Sequence, residues 1–132
     1  MFQTLTVRTH DRTEFLDLTR QIQAVVQESG VREGFCHLFV PHTTAAVTIN
    51  ENADPSVKAD ILMVLNQVIS DHEPYRHQEG NSPAHIKSSL FGPQLTLIIN
   101  DGRLVLGTWQ GIYFCEFDGP RTRRLHLKVV AD

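Results

Sequence analysis

The chain has 132 residues, of which 41% are hydrophobic and 20% are charged, and its formal net charge is −3 at pH 7. This length and composition are typical of one globular unit with one core, so we expect a single domain over residues 1–132. The acidic balance disfavours a nucleic-acid surface, and no run approaches the ~18 apolar residues that span a bilayer, so we expect a cytoplasmic protein without nucleic-acid or membrane partners.

Four short segments in the first half of the chain have the patterns of β-strands. Apolar residues at near-alternating positions predict strands over residues 2–8 and from Glu14. Short apolar runs closed by helix-breaking residues predict two more, over residues 34–40 and 46–50. Apolar runs without CxxC spacing also contain both cysteines, which are predicted to be buried free thiols: Cys36 and Cys115.

Three helices are predicted where apolar residues recur at helical spacing. The second has the clearest start, because a capping aspartate precedes a proline in the first helical position. The third repeats that arrangement with a serine before a proline. Their predicted limits are Asp17 or Thr19 and Gly30 for the first, Asp54 and Ile69 for the second, and Ser82 and Ser89 for the third.

Strand patterns dominate the chain after Gly92. Apolar alternation up to Ile99 and from Leu104 to Leu106 flanks an Asp-Gly pair, which is the strongest short signal for a hairpin. Strands over residues 109–117 and 125–130 are predicted to complete an antiparallel set. The order of elements indicates an α+β fold, mainly an antiparallel sheet or sandwich with two to three helices.

Histidines are concentrated in the middle of the chain, where four of the seven lie: His42, His72, His77 and His85. Three imidazoles and an open position form the ligand set of a catalytic zinc, and we select His42, His77 and His85 because each lies at the end of an element. The sequence has no HxH or HExxH spacing, so solvated loop histidines are the alternative.

A second polar group follows the strand at 46–50. Glu51 and Asn52 lie where a loop begins, and Glu51 is a candidate magnesium ligand or proton acceptor. Asp54 is a candidate catalytic residue, although helix capping alone explains it. Gln110, which follows Trp109 in a segment flanked by two glycines, is a third catalytic candidate. Asn52 is predicted to contact substrate.

Two segments have the residue types that bind phosphate. Ser88 lies on the third helix, where a polar helix end is the alternative explanation. Arg121, Arg123 and Arg124 form a local cationic cluster, and guanidinium groups match phosphate oxygens in pairs. Strand alternation places Arg121 and Arg123 on one face and Arg124 on the other. The alternative is an edge strand kept soluble by its charges.

Several sequence blocks together resemble a known family over essentially the whole chain. They are His42-Thr43-Thr44-Ala45-Ala46, Ile49-Asn50-Glu51-Asn52-Ala53-Asp54, Tyr75-Arg76-His77, Glu79-Gly80-Asn81, Ala84-His85-Ile86-Lys87-Ser88-Ser89, Gly107-Thr108-Trp109-Gln110-Gly111 and Asp118-Gly119-Pro120-Arg121. These blocks look like those of the YjbQ family, also called the secondary thiamine-phosphate synthase family. The resemblance implies an α+β domain that assembles as a homotrimer, clustered histidines that hold a metal, and weak formation of thiamine phosphate. His72 is a departure from the family pattern.

Two kinds of function remain open. In the first, the chain is a transferase that joins hydroxymethylpyrimidine diphosphate to thiazole phosphate and releases pyrophosphate, with magnesium on the diphosphate. In the second, a zinc-like metal on the histidines serves a hydrolase, or the trimer binds a metabolite without turnover. Both predict a small-molecule partner, and the transferase hypothesis makes it a phosphorylated substrate.

Overall fold

The computed structural model describes residues 1–132 as eight strands and three helices, and every paired strand is antiparallel to its neighbour. The first half follows the predicted order closely. The elements are β1 (Phe2–Arg8), β2 (Glu14–Asp17), α1 (Thr19–Ser29), β3 (Gly34–Phe39), β4 (Ala45–Glu51), α2 (Pro55–Val68), α3 (Ser82–Phe91), β5 (Gln94–Asn100), β6 (Arg103–Leu104), β7 (Gln110–Glu116) and β8 (Thr122–Ala131).

The strands form two sheets that share one core. The larger sheet has the order β1-β8-β3-β5-β6, and the smaller has the order β2-β7-β4. Alternate residues of β3 and β8, including Leu38 and Leu127, point inward and meet Phe114 of β7 and Ile22 of α1. The predicted α+β sandwich is therefore confirmed, with α1 sealing part of the core between the sheets.

The outer face of the smaller sheet has a second core beneath the other two helices. Phe15, Tyr113 and Phe117 pack there against Ala84 of α3, and Ile61 of α2 covers them in part. Strand β7 is therefore buried on both faces, with only its first residue exposed. No residue of α2 is fully buried, and Val68 is 75% exposed, so this helix keeps an apolar face open to solvent.

Local sequence chemistry explains where the helices begin and end. Gly30 adopts the left-handed conformation that ends α1, and the Asp54 carboxylate accepts from Ser56 N at 2.9 Å at the start of α2. For α1, Asp17 accepts a hydrogen bond from Thr19 N at 2.9 Å. The predicted start of α3 is wrong by one residue, because Ser82 is already helical and Pro83 takes the second position. The helix also continues to Phe91, two residues beyond the predicted end at Ser89.

Two predictions about the C-terminal strands need correction. The Asp101-Gly102 hairpin is confirmed, since both residues have positive φ, but the returning strand β6 contains only Arg103 and Leu104 and does not reach Leu106. Strands β7 and β8 do not pair with each other, because they belong to different sheets. The turn after Phe117 therefore carries the chain across the sandwich.

The remaining composition-based predictions concern the cysteines and membrane segments. Cys36 and Cys115 are both free and buried, as predicted, and burial raises the pKa of Cys36 to about 11. No helix combines the length and the apolar character that crossing a membrane requires.

Candidate functional site

A polar cleft opens where the β3–β4 junction, the start of α3 and the β7–β8 turn come together. Its volume is about 610 Å³, which is within the range of small-molecule sites. Three of the predicted site residues, His42, His85 and Arg121, lie in its wall. The lining residues are Phe39, Val40, Pro41, His42, Thr43, Thr44, Glu79, Asn81, His85, Pro93, Asp118, Arg121 and Arg123.

The floor of the cleft contains a buried ion pair between Arg123 of β8 and Glu116 of β7. Arg123 Nε lies 2.9 Å from Glu116 Oε1, and a terminal guanidinium nitrogen lies 2.5 Å from Oε2. Arg123 also donates to Thr44 Oγ1 at 2.8 Å, and Thr9 Oγ1 donates to Glu116 at 2.7 Å. All four side chains belong to buried residues. The pair therefore connects both sheets and fixes the β3–β4 junction from below.

His42 is held against the larger sheet with a defined proton arrangement. Its Nε2 accepts a hydrogen bond from Arg124 N at 3.0 Å, so the neutral ring carries its proton on Nδ1. Burial lowers the pKa of His42, and the positive charges of Arg123 and Arg124 lower it further, while Glu116 opposes them. The structure therefore favours a neutral His42 with Nδ1 as a hydrogen-bond donor.

Asp118 fixes the position of Arg121 at the other wall. Arg121 Nε donates to Asp118 O at 2.8 Å, and a terminal nitrogen of the same guanidinium donates to Asp118 Oδ2 at 3.0 Å. Asn81 Nδ2 donates to the same carboxylate oxygen at 3.0 Å, whereas Asn81 Oδ1 is buried without a partner. An unsatisfied buried acceptor in a cleft is a place where a water or a ligand donor completes the network.

His77 lies beside the cleft and contacts His85. The two ring centroids are 5.4 Å apart and the ring planes are perpendicular. His77 Nε2 is also 3.7 Å from a carboxylate oxygen of Glu79. His85 lines both the cleft and the neighbouring hollow that contains His77. His72 borders neither of them and is exposed in the loop before α3.

The three predicted zinc ligands do not form a three-ligand group within one chain. No cluster of three or more His, Cys, Asp or Glu side chains is arranged to hold a metal ion. His77 and His85 are adjacent, but His42 Nε2 is already an acceptor and its Nδ1 carries the proton in the neutral ring. His42 would have to give up its bond to Arg124 N to bind a metal. The residues present therefore do not fit a zinc site in this arrangement.

The other predicted catalytic residues lie at the far end of the smaller sheet. Strand β4 has seven residues, with Ala45 at the cleft end and Glu51 at the other, and a rise of about 3.3 Å per residue separates them by about 20 Å. Glu51 pairs in register with Gln110 of β7, and Asn52 Nδ2 donates to Asp17 Oδ2 at 3.0 Å. These residues form a second group, which we call the β4-end group: Glu51, Asn52 and Gln110.

Close packing explains the glycine that follows Gln110. A Cβ at Gly111 would lie 2.4 Å from Asn52 Nδ2, so only glycine leaves room for the Asn52 side chain over β7. Gln110 Oε1 accepts from Gly107 N at 2.8 Å, and Tyr113 Oη donates to Glu51 O at 3.0 Å. Gln110 is therefore used, at least in part, to hold the preceding loop.

Asp54 and Ser88 do not line the cleft. The Asp54 carboxylate accepts from both the backbone N and the hydroxyl of Ser56, and these bonds lower its pKa. The capping alternative for Asp54 is thus confirmed. Ser88 is buried on α3 with no partner for its hydroxyl. Among the arginines, Arg123 and Arg124 lie on opposite faces of β8, and the edge-strand alternative is wrong because β8 is an interior strand.

Sequence reasoning missed the residues that support the cleft. In the sequence, Glu116 looks like one more residue of an apolar strand, yet a carboxylate buried there requires a partner. Arg123 is available as that partner, because it lies at an inward-facing position of the next strand. That signal was available. Asn81 and Asp118 have no comparable signal, since their contact joins residues that are far apart in sequence.

Comparison with known proteins decides the family. The model of the family described as UPF0047 protein YjbQ-like matches residues 3–132. The chain belongs to the YjbQ-like UPF0047 family. Its relatives include UPF0047 protein YugU of Bacillus subtilis, 52% identical over 131 residues, which covers 98% of this chain and 99% of YugU. UPF0047 protein MJ1081 of Methanocaldococcus jannaschii is also 52% identical, over 96% of this chain and 91% of that protein.

Solved structures of YjbQ-like proteins have the same fold. A conserved protein of the YjbQ/UPF0047 family from Clostridium acetobutylicum aligns with a TM-score of 0.95 at 50% identity, over 97% of this chain and 99% of that one. A protein of unknown function from Sulfolobus solfataricus gives the same TM-score of 0.95 at 31% identity, over 100% of this chain and 97% of that one. The family and the fold follow from these comparisons. The names of the related proteins do not state an activity.

Proposed function

We propose that this YjbQ-like chain binds a small phosphorylated metabolite in the cleft and acts on it as a thiamine-phosphate synthase-like transferase. The observation that carries the proposal is Arg121 in the cleft wall, whose guanidinium is held in place by the Asp118 carboxylate beside the buried Arg123–Glu116 pair. Guanidinium groups fixed in this way are preorganised for phosphate oxygens, because little side-chain entropy remains to be lost on binding.

The chemistry of the transfer suits such a cleft. The carbon–oxygen bond between the pyrimidine methylene and the diphosphate breaks, a bond from the thiazole nitrogen to the same carbon forms, and pyrophosphate leaves with the bonding electrons. Negative charge therefore grows on the leaving oxygens, and Arg121 is the cation with an exposed side chain, 54% accessible, available to stabilise it. The neutral His42 offers its Nδ1–H as a further donor.

The β4-end group belongs to the same proposal only if two chains share a site. Glu51 lies about 20 Å along β4 from the cleft of its own chain. In the homotrimer expected from the family resemblance, we propose that Glu51 of one chain faces the cleft of the next. A mixture of Arg121→Ala and Glu51→Gln chains, unfolded and refolded together, then regains part of the activity that each variant lacks. Mixtures as inactive as either parent contradict the shared site.

Binding of thiazole phosphate, measured by titration calorimetry, tests the cleft directly. Loss of a charge-assisted phosphate contact costs about 1.5–3 kcal/mol, so Arg121→Ala weakens binding roughly tenfold to a hundredfold. Arg20→Ala is the matched control, because Arg20 is an exposed arginine on α1 outside the cleft. Equal affinities of both variants and the unmodified chain contradict phosphate binding by Arg121.

A histidine-bound metal is a second candidate, and the contact between His77 and His85 is the observation that favours it. Two adjacent imidazoles supply two ligands, and a third must come from a rearranged His42 or from another chain. A metal held there, zinc by ligand type, would serve a hydrolase or a metabolite-binding trimer. Magnesium bound to the substrate diphosphate requires no protein ligand from this set.

A further inference from the structure

A second cavity lies on the other side of α3 from the histidines. Its volume is about 200 Å³, and none of its lining residues lines the cleft. Its polar wall consists of Lys87 of α3, Asn66 of α2, Asp71 and the segment Arg12–Thr13, and Phe117 lies on the apolar side. We call it the Lys87 cavity. Its small size restricts a ligand to fewer atoms than an ordinary drug-sized molecule has.

The cavity is unusual because its lysine is buried without a counter-charge. Lys87 is only 4% exposed, and its Nζ has one hydrogen bond, to Asn66 Oδ1 at 2.6 Å. No carboxylate lies within ion-pair distance of it. Burial lowers the pKa of Lys87, Arg12 lowers it further, and Asp71 opposes them. An ammonium group has three N–H donors, so two of them lack a partner in the protein.

The neighbouring charges do not neutralise Lys87. Asp71 is engaged by Arg12, with guanidinium–carboxylate distances of 3.1 and 3.4 Å, so those two charges balance each other. Asn66 is oriented by a second bond, from its Nδ2 to Thr13 Oγ1 at 3.3 Å, which keeps its oxygen toward Lys87. One positive charge therefore remains at the cavity wall. Leaving a buried charge unpaired destabilises a fold, whereas the same charge is favourable in a ligand site.

We propose that the Lys87 cavity binds a small oxyanion, a carboxylate or phosphate group, between the Lys87 ammonium and the Arg12 guanidinium. The oxyanion accepts the two unused N–H groups of Lys87 and supplies the missing negative charge. It also takes over part of the ion-pair interaction that Arg12 makes with Asp71. This site is separate from the cleft and does not depend on the function proposed for the cleft.

Carbamylation by cyanate tests the proposal on the unmodified protein. The reagent is small enough for the cavity and adds only to a neutral amine, and the chain has three lysines, Lys58, Lys87 and Lys128, that peptide mass spectrometry distinguishes. At equal ionic strength, inorganic phosphate or acetate in place of chloride slows carbamylation of Lys87 several-fold and leaves exposed Lys128 unchanged. The more protective of the two anions identifies the preferred group. An unchanged Lys87 rate in both anions overturns the proposal.

Thermal unfolding gives a second, independent measurement that holds even if Lys87 reacts too slowly to follow. Phosphate stabilises proteins in general, so only the difference between variants counts. Replacing chloride by phosphate raises the melting temperature of the unmodified chain and of Lys128→Met by more than it raises that of Lys87→Met. Lys87→Met is expected to fold, because an apolar side chain replaces an unpaired buried charge. Equal phosphate shifts in all three proteins overturn the site.

The cleft variant Arg121→Ala separates this site from the function proposed above. If the two sites are distinct, phosphate still raises the melting temperature of Arg121→Ala by more than it raises that of the double variant Arg121→Ala/Lys87→Met. Loss of that difference in the Arg121→Ala background assigns the anion to the cleft and overturns the Lys87 site, whatever the transferase assays show.

Discussion

Arg123 and Glu116 form a two-point ion pair that is buried on both sides, with side-chain exposures of 5% and 0%. The pair joins β8 of the larger sheet to β7 of the smaller one, and its other hydrogen bonds go to Thr44 and Thr9. A buried ion pair contributes little net stability compared with apolar residues of similar size. Removing only one partner is strongly destabilising, because the other charge is left buried without compensation. We infer that it is retained to hold the base of the cleft in one geometry.

Removing one partner of this pair is expected to destabilise the fold strongly. Glu116→Ala leaves Arg123 buried without a counter-charge, which lowers the free energy of unfolding by about 3–5 kcal/mol. Urea denaturation monitored by circular dichroism measures it. Asp101→Asn, in the exposed pair with Arg32, is the control and changes stability by less than about 1 kcal/mol. A loss as small as that in Glu116→Ala would show that the pair does not support the fold.

Stability is expected to depend on pH through His42. Its pKa in the folded chain is lowered by burial, so between that pKa and the ordinary value of 6.5 the unfolded chain binds more protons. The contribution of His42 is therefore complete above pH 6.5 and is lost as pH falls through the lowered pKa. Denaturation curves across this window should show a smaller pH dependence in His42→Asn than in the unmodified chain. Identical pH dependence would mean that His42 is not perturbed.

The sequence predicted the elements of this fold better than it predicted their partners. Local signals identified the left-handed Gly30, the Asp54 cap and the Asp101-Gly102 turn, because each depends on a few neighbouring residues. Local signals could not show that the chain crosses from one sheet to the other after Phe117, since that is decided by which face each strand buries. Strands β7 and β8 were predicted to belong to one antiparallel set, and they lie in different sheets for this reason.

The residues of the candidate site could be predicted only in part, because local signals do not show which element ends meet. His42, His85 and Arg121 come together because each lies at the end of an element, and element ends at one edge of a sandwich meet. Glu51 is also at the end of a strand, but at the opposite end of β4 from the cleft. Sequence position indicates that a residue is at an end and does not indicate which end, so the two groups could not be separated in advance.

Metal binding is tested by metal content after purification without chelator or affinity tag. If His77 and His85 supply two ligands of a shared site, the protein holds about one divalent ion per chain, and His85→Ala removes most of it. His72→Ala is the matched control, because His72 is an exposed histidine outside the cleft. Full metal content in His85→Ala would contradict the histidine site.

Assembly is tested by light scattering at micromolar concentration. The expected mass is about three times the 14.9 kDa of one chain. The exposed apolar face of α2, with Val64 and Val68, and the exposed Phe35 and Ile98 of the larger sheet offer surfaces that neighbours can cover. A monomer at this concentration would remove the shared site, because Glu51 and the cleft then belong to the same chain about 20 Å apart along β4.

The transferase reaction itself is the most direct test of the account. Hydroxymethylpyrimidine diphosphate, thiazole phosphate and magnesium are mixed with the protein, and thiamine phosphate and pyrophosphate are both quantified over time. We expect the two products in equal amounts, roughly tenfold to a hundredfold slower formation with Arg121→Ala, a comparable or larger decrease with Glu51→Gln, and no change with Arg20→Ala. Product formation at the background rate, or rates that survive both Arg121→Ala and Glu51→Gln, would contradict the transferase function.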